Sequence, residues 1–214
     1  KHISVAPKRF KGIRSQAAMH PDGTIPSTRA RPIEGVYIND MFHQGFAHLE
    51  PRNLSFEAWC YHPQLPQLIQ LAKKFPNTSI ILNHFGGPLG IGSFTDKEEE
   101  TYSFWEKHIT ELSKCENVVA KLGGIAMEIN GFKWHLNKKA PSGLELINRT
   151  KRYYEKTLDL FGIDRCMFES NFPVDKISCS YVNLWNGFKL LTKEYSPDER
   201  TKLFHDNATR IYKL

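Results

Sequence analysis

Ser79-Ile80-Ile81-Leu82-Asn83-His84-Phe85-Gly86-Gly87-Pro88 opens as a short apolar run, turns polar at Asn83 and His84, and breaks at Gly86, Gly87 and Pro88. A short apolar run closed by turn residues reads as a buried strand. A strand that becomes polar only at its carboxyl end suits a parallel barrel, where strand middles are core and the upper rim carries chemistry. Strand alternation places His84 on the face shared by Ile80 and Leu82, at that rim. Taken alone, the stretch leaves two readings of His84 open: a rim residue with a chemical role, or a core histidine hydrogen-bonded to backbone.

Working outward, the same pattern recurs. Residues 9–14 read as a strand in which Gly12 allows close packing, with Phe10, Gly12 and Arg14 on one face and Arg14 at the end. Residues 17–38, with Pro21, Gly23, Pro26, Pro32 and Gly35, lack periodicity; a loop of this length is usually a functional cover. A helix follows over 39–50, with a stripe of Met41, Phe42, Phe46 and Leu49. The next strand spans 54–61 and closes at His62-Pro63-Gln64. A helix over 64–75 carries Leu65, Leu68, Ile69 and Ala72 and leads into the opening stretch. After it come a helix over 97–114 with Asp96 as its N-cap, a strand at 118–124, a loop at 130–143, and a helix over 144–161 that stops at Gly162. The fifth strand, 165–170, is closed by Asn171-Phe172-Pro173-Val174-Asp175. Helices over 178–194 and 197–205 finish the chain, the second opening at Ser196-Pro197, and a helical turn follows from Asn207.

Alternating strands and helices predict parallel βα units. Each of the five strands ends in polar residues: Arg14, Tyr61 and His62, Asn83 and His84, Lys121, and Asn171 with Asp175. A doubly wound sheet would gather its ligand groups at one switch crevice; polar residues after every strand fit a (β/α)8 TIM-type barrel better. The fold expected is therefore an α/β barrel, one domain over 1–214, that lacks its first three strands.

Composition sets limits on function. Of 214 residues, 40% are hydrophobic and 24% charged, which is ordinary for a globular domain. There is no run of the roughly 18 apolar residues that a membrane helix needs, and Lys1–Pro7 holds no signal core. Cys60, Cys115, Cys166 and Cys179 lie far apart, which favours reduced core thiols in a cytoplasmic protein over a disulfide frame or a zinc knuckle. The net charge of +6 is scattered along the chain. That argues against a nucleic-acid or membrane partner and suits a small anionic substrate. Gly87-Pro88-Leu89-Gly90-Ile91-Gly92 lacks the G-x-G-x-x-G spacing and has a proline inside, so a dinucleotide loop is not expected. Nothing here bears on oligomeric state.

Four motifs in order, Phe-Lys-Gly-Ile-Arg at 10–14, Leu-Ser-Phe-Glu-Ala-Trp at 54–59, Asn-His-Phe-Gly-Gly-Pro at 83–88 and Glu-Ser-Asn-Phe-Pro-Val-Asp at 169–175, resemble the amidohydrolase-related proteins, the branch that contains sugar lactonases and 2-pyrone-4,6-dicarboxylate lactonase. The resemblance covers nearly the whole chain and implies strands four to eight of a TIM barrel. The family's His-x-His motif on strand one has no counterpart in this sequence, which implies a carboxyl-terminal piece of a larger enzyme. Such a piece alone, with two open sheet edges, is expected to be poorly soluble, oligomeric or partly folded. The family implies a hydrolase of lactones or amides, or, in a sister branch, a decarboxylase of aromatic acids; a non-catalytic remnant is the third class.

Carried over residue by residue, the resemblance makes His84 the strand-six histidine, which helps bind metal in metal-dependent relatives or polarises the substrate carbonyl. Arg14 would hold a carboxylate or carbonyl oxygen through its fork of donors; the alternative is a surface salt bridge. Lys121 corresponds to a basic substrate-side position, or else snorkels at the strand end. Tyr61 and His62 line the pocket, or are an aromatic core position and a helix-entry residue. Asn171 stands where relatives carry an aspartate that serves as metal ligand and base. A neutral amide cannot take up a proton, so Asn171 would orient water or substrate. Asp175 supplies a carboxylate if its loop folds back, and otherwise is a helix-start or surface residue. The resemblance leaves two cofactor states open, a divalent metal such as zinc or none, with His84 the only candidate ligand.

Overall fold

Five short apolar segments lie side by side in chain order as one parallel sheet: β1 (Gly12–Gln16), β2 (Ser55–Trp59), β3 (Ile80–Leu82), β4 (Val118–Leu122) and β5 (Cys166–Phe168). The structure is a computed structural model that describes residues 2–6 and 8–214. Register pairs Gly12 with Ser55, Phe56 with Ile80, Ile80 with Val118 and Ala120 with Cys166. The expected parallel order, including β2 beside β3, is what forms. The first strand begins later than its pattern suggests, so Arg14 lies in the middle of β1, paired with Glu57, and not at its end.

Period-two alternation sorts the strand residues. Phe56, Ala58, Ile80, Leu82, Val118, Ala120, Leu122, Cys166 and Phe168 face a large core. That core lies under α3 (Leu65–Lys74), α4 (Glu98–Ser113), α5 (Gly143–Phe161) and α6 (Tyr181–Leu191). Ile81, Val119 and Met167 face the other way and pack on Ile211. Both faces of the central strands are thus covered, as a parallel sheet requires. Two shorter helical elements precede α3: α1 (His2–Val5) and α2 (Asp40–Phe46). The last helices, α7 (Pro197–Thr201) and α8 (Asn207–Tyr212), are joined by a π-helical turn over 202–206. Asn207 anchors α8 beneath β5 by donating from Nδ2 to the carbonyls of Ile163 and Cys166 at 2.7 and 2.8 Å.

Helix ends follow their capping chemistry. Ser142 with Glu145, and Ser196 with Glu199, form capping boxes, and Gly162 closes α5 with φ 73°. Asp96 is not the cap of α4: it has φ 59°, and the helix starts at Glu98 with three glutamates in its first turn, where the helix dipole favours negative charge. Met41 drops out of the expected stripe of α2 and is 78% exposed, while Phe42, Phe46 and Leu49 pack inward. All four cysteines are buried free thiols. Among the described residues, no helix is long and apolar enough to cross a membrane.

The aperiodic excursion after β1 is a fixed strap. Gln64 donates to the Ala17 carbonyl at 2.9 Å, and its Oε1 accepts from Met19 and Tyr61 backbone N–H. Asp22 accepts from Ser93 N–H at 2.7 Å. Ala18 and Ile25 of the strap then pack on Trp59, Tyr61 and Leu89 just past the carboxyl ends of β2 and β3. At the opposite end, Asn117 Nδ2 donates to the carbonyls of Ala72, Phe75 and Thr78 at 3.0–3.2 Å, tying the end of α3 to the entry of β3. Asn117→Ala should cost about 1–3 kcal/mol by leaving those carbonyls unpaired. It should be read as a lower urea midpoint at unchanged slope.

Candidate active site

Strand alternation carried past Leu82 would aim His84 into the outer core with Ile80 and Leu82. The structure differs because β3 stops at Leu82 and His84, Phe85, Gly86 and Gly87 all take left-handed backbone, φ 53°, 58°, 67° and 51°. Each such non-glycine residue costs on the order of 1–3 kcal/mol, so the surroundings must hold it. Trp105 Nε1 donates to the Phe85 carbonyl at 2.7 Å, and the Phe85 ring fills the outer core against Tyr154. His84 is thereby turned to the opposite side, 3% exposed, with its ring edge on Trp59 at a centroid distance of 4.8 Å.

Two glycines after β4 leave room for what His84 meets there. A Cβ on Gly124 would stand 2.3 Å from His84 Nδ1, and one on Gly123 would stand 2.1 Å from the Glu169 carbonyl oxygen. Any larger residue at either position would push the two side chains apart. His84 Nδ1 lies 2.6 Å from Glu169 Oε1, at ion-pair distance but off the line of a well-directed hydrogen bond. Lys121 Nζ is 3.2 Å from Glu169 Oε2 and 3.4 Å from both Glu57 oxygens. Glu57 also accepts from the Tyr212 hydroxyl at 2.5 Å and from Asn83 Nδ2 at 3.4 Å. Burial alone would raise the Glu169 carboxyl, but His84 and Lys121 outweigh it and hold it down at about 2.

A second carboxylate lies beside this cluster in the opposite state. The loop after β5 does fold back: Asn171 takes φ 52°, and Asp175 is fully buried. This corrects the alternative of a surface aspartate. Asp175 Oδ1 accepts from Asn171 Nδ2 at 2.7 Å, and Oδ2 stands 3.4 Å from Ala126 N. Burial pushes this carboxyl up to about 6, with Glu169 adding to the rise and Asn171, His84 and the Ala126 N–H opposing it. Paired carboxyls whose environments drive their pKa values apart are the usual setting for acid and base roles.

The other candidates are placed differently. Arg14 is exposed on β1, beside Glu57 in register. Tyr61 is 2% exposed, and its hydroxyl donates to the strap carbonyl of Pro26. His62 Nδ1 accepts from Leu89 N–H, and its ring lies edge-on to Phe94 and Phe104. Burial lowers the His62 pKa to about 3, so this ring is neutral near pH 7. The polar atoms of Tyr61 and His62 named here bond to backbone of the strap and the turn after β3, not to the His84 cluster. Glu57, Glu169 and Tyr212 were not singled out from sequence. The signal for the first was a lone charge inside an apolar strand; Glu169 closed a strand within a quoted motif; Tyr212 had none.

Among the described residues, no three His, Cys, Asp or Glu side chains converge as a metal-ligand set. The Lys121 ammonium, already between Glu57 and Glu169, would repel a second cation there. The side chains this chain supplies therefore do not by themselves fit a divalent-metal site.

The Amidohydrolase family model matches residues 3–214. An uncharacterized protein of Sinorhizobium fredii, y4mH, is 34% identical over 96% of this chain and 61% of its own length. An L-fucono-1,5-lactonase of Burkholderia multivorans is 26% identical over 81% of this chain and 56% of its own length. The crystal structure of a Burkholderia multivorans amidohydrolase with bound zinc superposes with a TM-score of 0.77 at 22% identity, covering 95% of this chain and 64% of that one. The chain thus spans about three-fifths of the length of these relatives.

Proposed function

The chain belongs to the amidohydrolase family, and on that premise we propose that it carries the catalytic rim of a hydrolase that opens a lactone of a small anionic or sugar-derived acid. The observation that carries this reading is the cluster of His84, Lys121 and Glu169 at the carboxyl ends of β3, β4 and β5, where a parallel barrel places its chemistry. The named lactonase relative supports the choice among family reactions.

In this reading Glu169 stays ionised and aims His84. His84 polarises the scissile carbonyl or assists the attacking water, and Lys121 stands on the substrate side, where its charge meets an anionic group of the substrate. Asn171, held through its amide nitrogen by Asp175, orients the water. Asp175 is ionised above about pH 6, so it can take up a proton near neutrality. Arg14 and the basic balance of the chain favour a substrate that carries a carboxylate.

A panel of sugar-acid lactones, with L-fucono-1,5-lactone included, tests the proposal by proton release in a weakly buffered indicator assay on the full protein. At least one lactone should open far faster than its spontaneous rate. Turnover of none, alongside release of carbon dioxide from an aromatic acid, would move the protein to decarboxylation.

A further inference from the structure

The interior of the half-barrel is layered. Ile81, Val119 and Met167 form an apolar floor with Ile211. Above it lies a polar layer of Glu57, Lys121 and Asn83, and above that His84 meets Glu169. Tyr212, on α8, is the residue that crosses from floor to polar layer: its ring packs with the floor cluster and its hydroxyl reaches Glu57.

The distances around Glu57 are unequal. The phenol is at 2.5 Å, while Lys121 and Asn83 stand off at 3.4 Å. Lys121 is nearer to Glu169, at 3.2 Å, than to either Glu57 oxygen. A carboxylate that accepts one short bond from a neutral donor attracts a nearby ammonium less strongly, because the donor's positive end offsets part of its charge. We propose that Tyr212 is a positioning residue: by occupying Glu57 it keeps Lys121 from collapsing into a tight Glu57 pair and leaves the ammonium free to meet the anionic part of the substrate. This rests on the lactone-hydrolase reading for its kinetic consequence, but not for the placement of Lys121 itself.

The groups facing Lys121 are Glu57 from β2 and Glu169 after β5, with Asn83 after β3 and Tyr212 from α8 reaching it through Glu57. His84 acts on it by sharing Glu169, and Arg14 of β1 acts on Tyr212. Burial, with the bond to Glu57 adding to it, raises the Tyr212 phenol well above its usual 10.0, so it remains a donor through the working range.

The test uses the full protein with 13Cε-labelled lysine, the Lys121 resonance being assigned by its loss in Lys121→Met. Tyr212→Phe should raise the Lys121 titration midpoint by about half a pH unit, and Glu57→Gln should lower it by about one. On an accepted lactone, Tyr212→Phe should raise KM about fivefold with kcat within twofold, as expected when a ground-state binding group is drawn away. Lys213→Ala serves as the control. It removes the bonds from Lys213 Nζ to Asn53 that also tether this helix, and should lower thermal stability while leaving the Lys121 midpoint in place. Opposite shifts in Tyr212→Phe and Glu57→Gln support the proposal even if no lactone is turned over, an outcome that would sink only the hydrolase reading. A Lys121 midpoint unmoved in Tyr212→Phe, or moved equally by Lys213→Ala, would reduce Tyr212 to a packing residue.

Discussion

His84→Ala should lower kcat for lactone opening by on the order of a hundredfold or more, the size of a lost acid–base or electrophilic group. The expectation rests on how much of the structure is committed to this one ring. Two consecutive non-glycine residues, His84 and Phe85, are held in left-handed backbone to turn it inward. Trp105 pins the turn through the Phe85 carbonyl, Gly123 and Gly124 clear space beside it, and Glu169 is fixed against its Nδ1. A core histidine serving packing alone would need none of these, and strain of this kind collects at functional sites. Alanine leaves the turn intact but strips Glu169 of one of its two partners, so stability must be measured alongside rate. Circular dichroism and a urea midpoint separate the two effects. His84→Gln, which keeps a polar side chain but cannot titrate, should also be impaired if proton transfer is the role. Near-normal kcat for His84→Ala on every accepted lactone would return His84 to the core.

Much of the architecture was legible because it rests on local rules. Apolar runs at 80–82, 118–122 and 166–168 announced buried parallel strands, and the serine–glutamate pairs at Ser142 and Ser196 announced helix starts. The importance of His84 was legible from its place at a strand end, but its direction was not. Alternation assigned it to the outer face, and only the left-handed turn, which depends on the support of Trp105 and two glycines from another strand end, reverses that. Tyr61 and His62 show the limit of the same rule. They are polar strand-end residues like His84, yet the strap over 17–38 and the turn at Leu89 cover them, and no local pattern tells a rim from a covered rim. The Tyr212–Glu57 bond spans 155 positions. No spacing or motif reports a contact of that range, so one half of the polar layer stayed invisible until the helix bearing Tyr212 was seen beneath β5.

Asp175→Asn should expose a rise in stability between about pH 4 and pH 6 that Asp175 otherwise cancels. Burial raises this carboxyl from 3.8 to about 6 in the folded protein. Between those values the folded state keeps a proton that the unfolded chain has released. Stability from this group is therefore fully present below pH 3.8 and lost as pH rises through about 6, an amount on the order of 3 kcal/mol at 1.36 kcal/mol per unit. Glu169 acts in the reverse sense. Held down from 4.5 to about 2 by His84 and Lys121 against the cost of burial, it contributes stability that is present above pH 4.5 and lost as pH falls through about 2. His62 acts in the same sense as Glu169: lowered by burial from 6.5 to about 3, it contributes stability that is fully present above pH 6.5 and lost as pH falls through about 3. Between about pH 4 and pH 6 the His62 gain and the Asp175 loss nearly cancel, so the unsubstituted protein should be nearly flat there and should weaken toward lower pH. Asparagine at 175 can still accept from Asn171 through its amide oxygen, while its NH2 group would face the Ala126 N–H. That mismatch costs a constant amount, independent of pH. Urea midpoints measured at half-unit steps from pH 3 to pH 8 give the answer. The variant should keep the acid limb set by Glu169 and gain stability from about pH 4 to pH 6, the rise that His62 supplies. If Asp175→Asn follows the same pH profile as the unsubstituted protein between about pH 4 and pH 6, Asp175 loses the raised carboxyl that makes it a proton acceptor near neutrality.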